Sequence, residues 1–234
     1  MSHNPIDSLI VALDFPTTDE AHSLVETLGE DVQFYKVGLE LLFAGGLHYA
    51  QTLKQQGKNV FLDMKLLDIA NTVEKAVANV AGFGFDMLTI HGTDRKTMDA
   101  AVKGRGNSNL KLLAVTVLTS LDDHDLKEQG SRMDPQELVL HRAQLARDAG
   151  MDGIVASGQE ANAVRDIVGP DMLVVTPGIR LAGAASDDQA RIITPERAIS
   201  AGASHLVVGR PISRAEDPAS AARTFQAEMA KAHT

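Results

Sequence analysis

Residues 60–81 read Val60-Phe61-Leu62-Asp63-Met64-Lys65-Leu66-Leu67-Asp68-Ile69-Ala70-Asn71-Thr72-Val73-Glu74-Lys75-Ala76-Val77-Ala78-Asn79-Val80-Ala81. Val60–Met64 is apolar apart from Asp63 and shows no polar alternation, as in a strand buried on both faces. From Asn71 to Ala81, Val73, Val77 and Val80 recur at helical spacing. The stretch therefore predicts one strand followed by one helix.

The same unit repeats in both directions along the chain. Strand-like runs occur at Leu9–Leu13, Gln33–Val37, Val60–Met64, Met87–His91, Leu110–Leu118, Gly153–Ala156, Leu173–Thr176 and Leu206–Val208. Helical patterns between them include Glu20–Leu28, Pro135–Ala149, Pro195–Ala201 and Pro218–Lys231. Asp134-Pro135 and Asp217-Pro218 each place an acidic N-cap before proline in the first helical turn. Gly29, Gly150 and Gly169 read as helix stops.

Eight such alternations fit either a closed barrel or a doubly wound open sheet. The count and a length of 234 residues favour a (β/α)₈ barrel, an α/β fold. No Gly-x-Gly-x-x-Gly follows the first strand, which weakens a dinucleotide-binding sheet. No linker, low-complexity tract or charge block divides the chain, so 1–234 is expected to be a single domain.

Apolar residues make up 44% and charged residues 23%, ordinary for a soluble globular protein. A formal charge of −9 argues against non-specific nucleic-acid binding but leaves room for a local basic pocket. The chain has no cysteine, which excludes disulfides, thiol catalysis and thiolate metal sites. The first residues lack a signal-peptide pattern, and no run approaches 18 apolar residues. The expectation is a soluble cytoplasmic protein that spans no membrane.

Active sites of such barrels form at the C-terminal ends of the strands. There the first strand ends in Asp14, the second in Lys36 and the third in Asp63-Met64-Lys65. Residues two apart on a strand share a side, so Asp63 and Lys65 should project together while Met64 packs the other way. Any one such charge can simply be solvated or paired. Four converging on one mouth read as a site, because charges are rarely buried without a partner or purpose. Asp68 has an ordinary alternative role as N-cap of the helix near Asn71.

Two late segments suit a phosphate. Val207-Val208-Gly209-Arg210-Pro211 precedes a short helix expected at Ile212–Ala215, and arginine offers a planar fork of donors. Thr176-Pro177-Gly178-Ile179-Arg180 leads into a small-residue loop through Gln189, which reads either as a lid or as idle surface. His91 ends the fourth strand, where a structural hydrogen-bonded role is the commoner one. His3, His22, His48, His124 and His141 show no metal-ligand spacing, so no metal site is expected.

Taken together, Val11-Ala12-Leu13-Asp14, Tyr35-Lys36-Val37-Gly38, Phe61 through Thr72, Val117-Leu118-Thr119-Ser120, Pro177-Gly178-Ile179-Arg180 and Val208-Gly209-Arg210-Pro211 resemble the orotidine 5′-phosphate decarboxylase family, in its stand-alone form, along nearly the whole chain. The resemblance implies a carboxy-lyase of pyrimidine biosynthesis that uses no cofactor. It implies Lys65 as proton donor to C6 of the pyrimidine, Asp63 against the substrate carboxylate, and Lys36 and Asp14 on the ribose hydroxyls and in the charge network. Thr119 would contact the base. Pro177, Arg180, Gln189, Gly209 and Arg210 would lie along the phosphate end. Asp68, Ile69 and Thr72 would reach into the neighbouring subunit's site of a homodimer.

Two rivals bear on this reading. Sugar-phosphate decarboxylases and aldolases of the same superfamily share the Asp-x-Lys-x-x-Asp core but resemble magnesium sites with an acidic residue on the second strand, where this chain has Lys36. A catalytically silent nucleotide-binding barrel is the other, and the intact Lys36, Asp63, Lys65, Asp68 set argues against it.

Overall fold

A computed structural model describes residues 5–183 and 193–233. Eight parallel strands close on themselves in chain order, each paired with its sequence neighbours and the last with the first. In order the units are β1 (Leu9–Ala12), α1 (Thr18–Leu28), β2 (Phe34–Val37), α2 (Leu47–Gln55), β3 (Asn59–Leu66), α3 (Ala70–Ala81), β4 (Met87–His91), α4 (Arg95–Arg105), β5 (Lys111–Val115), α5 (Pro135–Ala149), β6 (Gly153–Val155), α6 (Ala161–Val168), β7 (Leu173–Thr176), α7 (Pro195–Ser200), β8 (His205–Val208) and α8 (Pro218–Ala230). This is the (β/α)₈ barrel that the alternation predicts.

Strand periodicity splits the apolar residues into two cores. Ile10, Phe34, Phe61, Met87, Leu113 and Val175 fill the barrel interior. The residues alternating with them, among them Val11, Tyr35, Leu62, Leu88 and Val174, pack outward against the helices. Both faces are therefore buried, which is why the strands read as continuous apolar runs. The predicted caps form: the Asp134 carboxylate accepts the Glu137 N–H at 2.8 Å and that of Asp217 accepts the Ser220 N–H at 2.9 Å.

Three boundary differences from the sequence expectation bear on the site. β5 ends at Val115 instead of reaching Leu118, and the Thr116 hydroxyl donates to the Val155 carbonyl at 2.9 Å. Val117 and Leu118 continue the apolar run because they wall a cleft, a use that hydrophobicity alone does not separate from a ladder. β3 runs on to Leu66 through a register shift against β4 between Leu62 and Leu66. The short helix after β8 spans Arg210–Ser213, starting earlier than Ile212, since Pro211 is tolerated in a first turn that needs no N–H from it.

The N-terminal face is closed by a device used three times. The residue before each of β4, β6 and β8 takes an N–H of the preceding strand on its side-chain oxygen: Asp86 from Val60 at 2.7 Å, Asp152 from Leu112 at 2.9 Å, Ser204 from Val174 at 3.0 Å. Each also returns its own N–H to the same residue's carbonyl. A cation from a surrounding helix completes each: Lys54 on Asp86, Arg105 on Asp152, Arg165 on Ser204. Strand ends that would otherwise strand buried donors are thus satisfied.

Asp152→Ala should remove three partners at once, leaving the Leu112 N–H and the Arg105 guanidinium unanswered. The expected loss is about 3 kcal/mol in urea unfolding. Lys127→Ala, which breaks an exposed ion pair with Asp123, should leave the urea midpoint where it was.

Candidate active site

The inward residues of the first four strands change from apolar to polar at the C-terminal rim. Phe34 is followed on the same side by Lys36, Phe61 by Asp63, and Met87 by Thr89. Asp14 follows two residues after β1. The result is a row of alternating charge. The Lys36 Nζ lies 2.9 Å from Asp14 Oδ1 and 3.5 Å from Asp63 Oδ2, and the Lys65 Nζ lies 2.8 Å from Asp63 Oδ1. The four charges predicted to converge therefore do so.

The row runs from water into the protein. The Asp14 side chain is 52% exposed, whereas those of Lys36 and Asp63 are 11% and 13%. Burial alone would push the Asp63 carboxyl up. The Lys36 and Lys65 charges, with hydrogen bonds from Lys65 and Thr89, outweigh it and hold Asp63 below the usual carboxylate range. Burial likewise opposes charge on Lys36, but Asp63 and Asp14 reverse the sign and raise its ammonium's pKa. His91 is half-buried and shifted down, first by burial and then by the Lys65 and Arg142 charges, against a smaller pull from Asp63.

Met64 packs into the outer core, as the two-residue periodicity requires. Lys65 reaches Asp63 by a less regular route. Its φ is +50°, the only positive value at a described residue other than glycine, and it sits within the register shift. The Lys65 N–H is taken by the Thr89 hydroxyl at 2.9 Å, and that hydroxyl donates to Asp63 Oδ1 at 2.9 Å. Sequence reasoning missed Thr89. The signal was there, a lone hydroxyl on the inward side of an apolar strand.

Gly38 is a second residue whose part shows only in three dimensions. A methyl group there would stand 2.8 Å from Lys36 Nζ and 3.1 Å from Asp14 Oδ1, so any larger residue would displace the ammonium from its present place in the pair.

Two connected hollows lie over the row. The smaller, about 170 Å³, has Asp63 and Lys65 at one side and apolar walls that include Phe61, Val115 and Val117, with Thr119 at its edge. The larger, about 520 Å³, is lined by Asp14, Gly209 and three arginines, Arg180, Arg210 and Arg214. Lys36, Pro177 and Val207 border both. Arg180 is buried where the chain returns from the loop after β7, its N–H donating to the Ile193 carbonyl at 3.0 Å. Arg214 was not singled out from sequence, because nothing in its local pattern marks it. Gln189 lies outside the described residues.

Asp68, Ile69 and Thr72 are exposed and line neither hollow of their own chain. The N-cap alternative for Asp68 does not apply. The cap position is Ile69, without a side-chain cap bond, and Asp68 Oδ1 accepts only the adjacent Ile69 N–H, at 2.6 Å. Among the described residues one group approaches metal-ligand geometry although the sequence showed no such spacing: His124, Asp125 and Glu128, with ligand atoms within 4.8 Å. It sits on the largely exposed helix Asp123–Glu128, and Asp125 is already engaged as part of that helix's capping box.

A family model described as orotidine 5′-phosphate decarboxylase / HUMPS matches residues 7–225. The chain belongs to that family. It is 54% identical over 226 residues to an orotidine 5′-phosphate decarboxylase of Rhodopseudomonas palustris (strain BisB5), covering 97% of this chain and 96% of the relative. A decarboxylase of the same name from Methylobacterium sp. (strain 4-46) is also 54% identical, over 97% of this chain and 98% of its own. Among solved structures, the crystal structure of orotidine 5′-phosphate decarboxylase from Lactobacillus acidophilus superposes with a TM-score of 0.84 at 38% identity, covering 94% of this chain and 98% of that one. Within this family fold the charged row and both hollows occupy the strand-end rim where barrel sites form.

The shift on Asp63 gives a signed test. A carboxylate held below its ordinary value contributes stability above that value and loses it as the pH falls through the folded one. The difference in unfolding free energy between wild type and Asp63→Asn should be flat from about pH 5 to 8 and should close below about pH 4. A difference that grows on acidification would contradict the pairing.

Proposed function

We propose that this chain converts orotidine 5′-phosphate to UMP and CO₂ in the cytoplasm, in pyrimidine biosynthesis, with neither metal nor organic cofactor. The observation that carries the proposal is the Asp14–Lys36–Asp63–Lys65 row beneath a two-part hollow, apolar at one end and arginine-lined at the other. A pyrimidine fits the small apolar end beside Thr119, with the ribose over Lys36 and Asp14. The phosphate falls among Arg180, Arg210 and the Gly209 backbone, with Pro177 at the junction; the family resemblance adds Gln189, which lies outside the described residues. Lysine in place of an acidic residue at position 36 favours this over the magnesium-dependent sugar-phosphate chemistry.

In the proposed reaction the bond from C6 to the carboxylate carbon breaks, CO₂ leaves, and the electron pair stays on C6 in the ring plane, outside the π system. Lys65 supplies positive charge at that atom and then a proton, and regains a proton from solvent after product forms. Asp63 stands against the departing carboxylate and opposes the ground state. Contacts at the distant phosphate hold the base in register with Lys65.

Disappearance of orotidine 5′-phosphate absorbance on adding the purified chain in EDTA tests this directly. Turnover is expected without any addition. Lys65→Ala should still bind UMP and lose at least about a hundredfold in kcat. A requirement for added Mg²⁺ would overturn the nucleotide reading in favour of sugar-phosphate chemistry.

We place Asp68, Ile69 and Thr72 in the site of a second copy. Supporting this, the segment carrying them is exposed and apolar, with Leu67 55% and Ile69 73% accessible, and Phe43 after β2 is 87% accessible. If Asp68 serves the partner, Lys65→Ala and Asp68→Ala homodimers each have two defective sites. A mixed dimer has one site with both lesions and one with neither. Random reassortment should therefore restore about a quarter of wild-type activity. With exchange verified by mass, no recovery would put Asp68 in its own subunit's chemistry.

A further inference from the structure

We infer that Thr89 is a positioning residue for the decarboxylation, its single hydroxyl holding the Asp63 carboxylate and the Lys65 backbone in one geometry. The inference rests on Lys65 and Asp63 being the reacting groups proposed above. Thr89 itself lines neither hollow and is 1% exposed, so it has no access to substrate.

The connectivity is a closed ring. The Thr89 O–H donates to Asp63 Oδ1, the Lys65 ammonium donates to the same oxygen at 2.8 Å, and the Lys65 N–H returns to the Thr89 oxygen. A hydroxyl has one proton to give and lone pairs to accept with, and both capacities are used here. Asp63 thus receives two donors on Oδ1 while Oδ2 is left facing Lys36 at 3.5 Å. The carboxylate cannot rotate without breaking one of these.

The backbone half of the ring matters as much. A lysine at φ +50° is an uncommon conformation that persists only where its surroundings impose it. At the register shift, the Lys65 N–H has a side-chain acceptor from β4 in place of a main-chain one. That acceptor comes from a β-branched residue, whose χ1 is restricted and whose hydroxyl is therefore aimed. Removing the oxygen frees the Lys65 peptide and the Asp63 carboxylate together. It leaves the strand, the apolar packing and the arginine end untouched.

The test uses two pairs that differ in the oxygen: Thr89 against Thr89→Val, equal in shape, and Thr89→Ser against Thr89→Ala, where overpacking cannot arise. Steady-state kcat and KM for orotidine 5′-phosphate are measured across pH, with UMP affinity and thermal unfolding alongside. Within each pair, loss of the hydroxyl should lower kcat about tenfold or more and leave KM and UMP affinity within about threefold. The acid limb of kcat should move to higher pH, because a hydrogen bond that helps keep Asp63 ionised is gone. Thr89→Ser should keep most of the wild-type kcat. Equal kcat within either folded pair, or a Thr89→Ser variant as impaired as Thr89→Val, overturns the inference. Lys65→Ala is run beside them. If it retains kcat, the catalytic reading itself fails; if it loses kcat while Thr89→Val does not, only the role of Thr89 falls.

Discussion

Asp63 is a buried carboxylate clasped between two ammonium groups, and the arrangement of the barrel mouth follows from satisfying it. An isolated charge at that depth would be neutralised or expelled. Lys36 at 3.5 Å and Lys65 at 2.8 Å hold it ionised, and Asp14, 2.9 Å from the Lys36 ammonium, balances that cation in turn. Each member needs its neighbour, so four strand-end residues are fixed relative to one another before any ligand arrives. For the proposed reaction that would be preorganisation: charges fixed in place before the substrate binds.

The rest of the fold supplies what such a row requires. Below it, Phe34, Phe61 and Met87 fill the interior and keep water from reaching the charges from beneath. At the far end, the Asp86, Asp152 and Ser204 clasps tie adjacent strands together and resist sliding. Strand register is what converts into side-chain height at the rim. A slip of one residue in β3 against β2 would replace Asp63 with Met64 and carry the whole row out of the site.

Much of this was legible in the chain itself. Strand and helix alternation left a barrel or an open sheet, its count and the chain length favoured the barrel, and the two-residue period put Asp63 and Lys65 on one side with Met64 on the other. What escaped was whatever departs from the regular period. The bulge at Lys65 is set by tertiary pairing with β4, and nothing in Asp63-Met64-Lys65 announces a left-handed residue. Thr89 and Gly38 are small residues whose meaning lies in what stands beside them. Arg214 joins Arg180 and Arg210 along the larger hollow only through the short helix after β8, which it caps. For Asp68 the local rule favoured a helix cap, and the structure instead shows an exposed carboxylate bonded to the next residue's N–H.

A last consequence concerns how one charged row can serve both before and after bond breaking in the proposed reaction. The Lys65 ammonium donates to Asp63 Oδ1 at 2.8 Å, and both residues line the small hollow. A substrate carboxylate entering beside Asp63 brings two negative charges together, and Lys36 and Lys65 are the groups positioned to offset them. When CO₂ departs, one of those charges passes to C6, next to Lys65, and the repulsion at Asp63 ends. The cations need not move for this change of partner; the negative charge moves between them. A flexible pair of lysines could neutralise the substrate equally well, but it would follow the carboxylate and stabilise the ground state too. In the proposed reaction, rigidity in Asp63 and Lys65 would therefore make the stabilisation selective for the transition state.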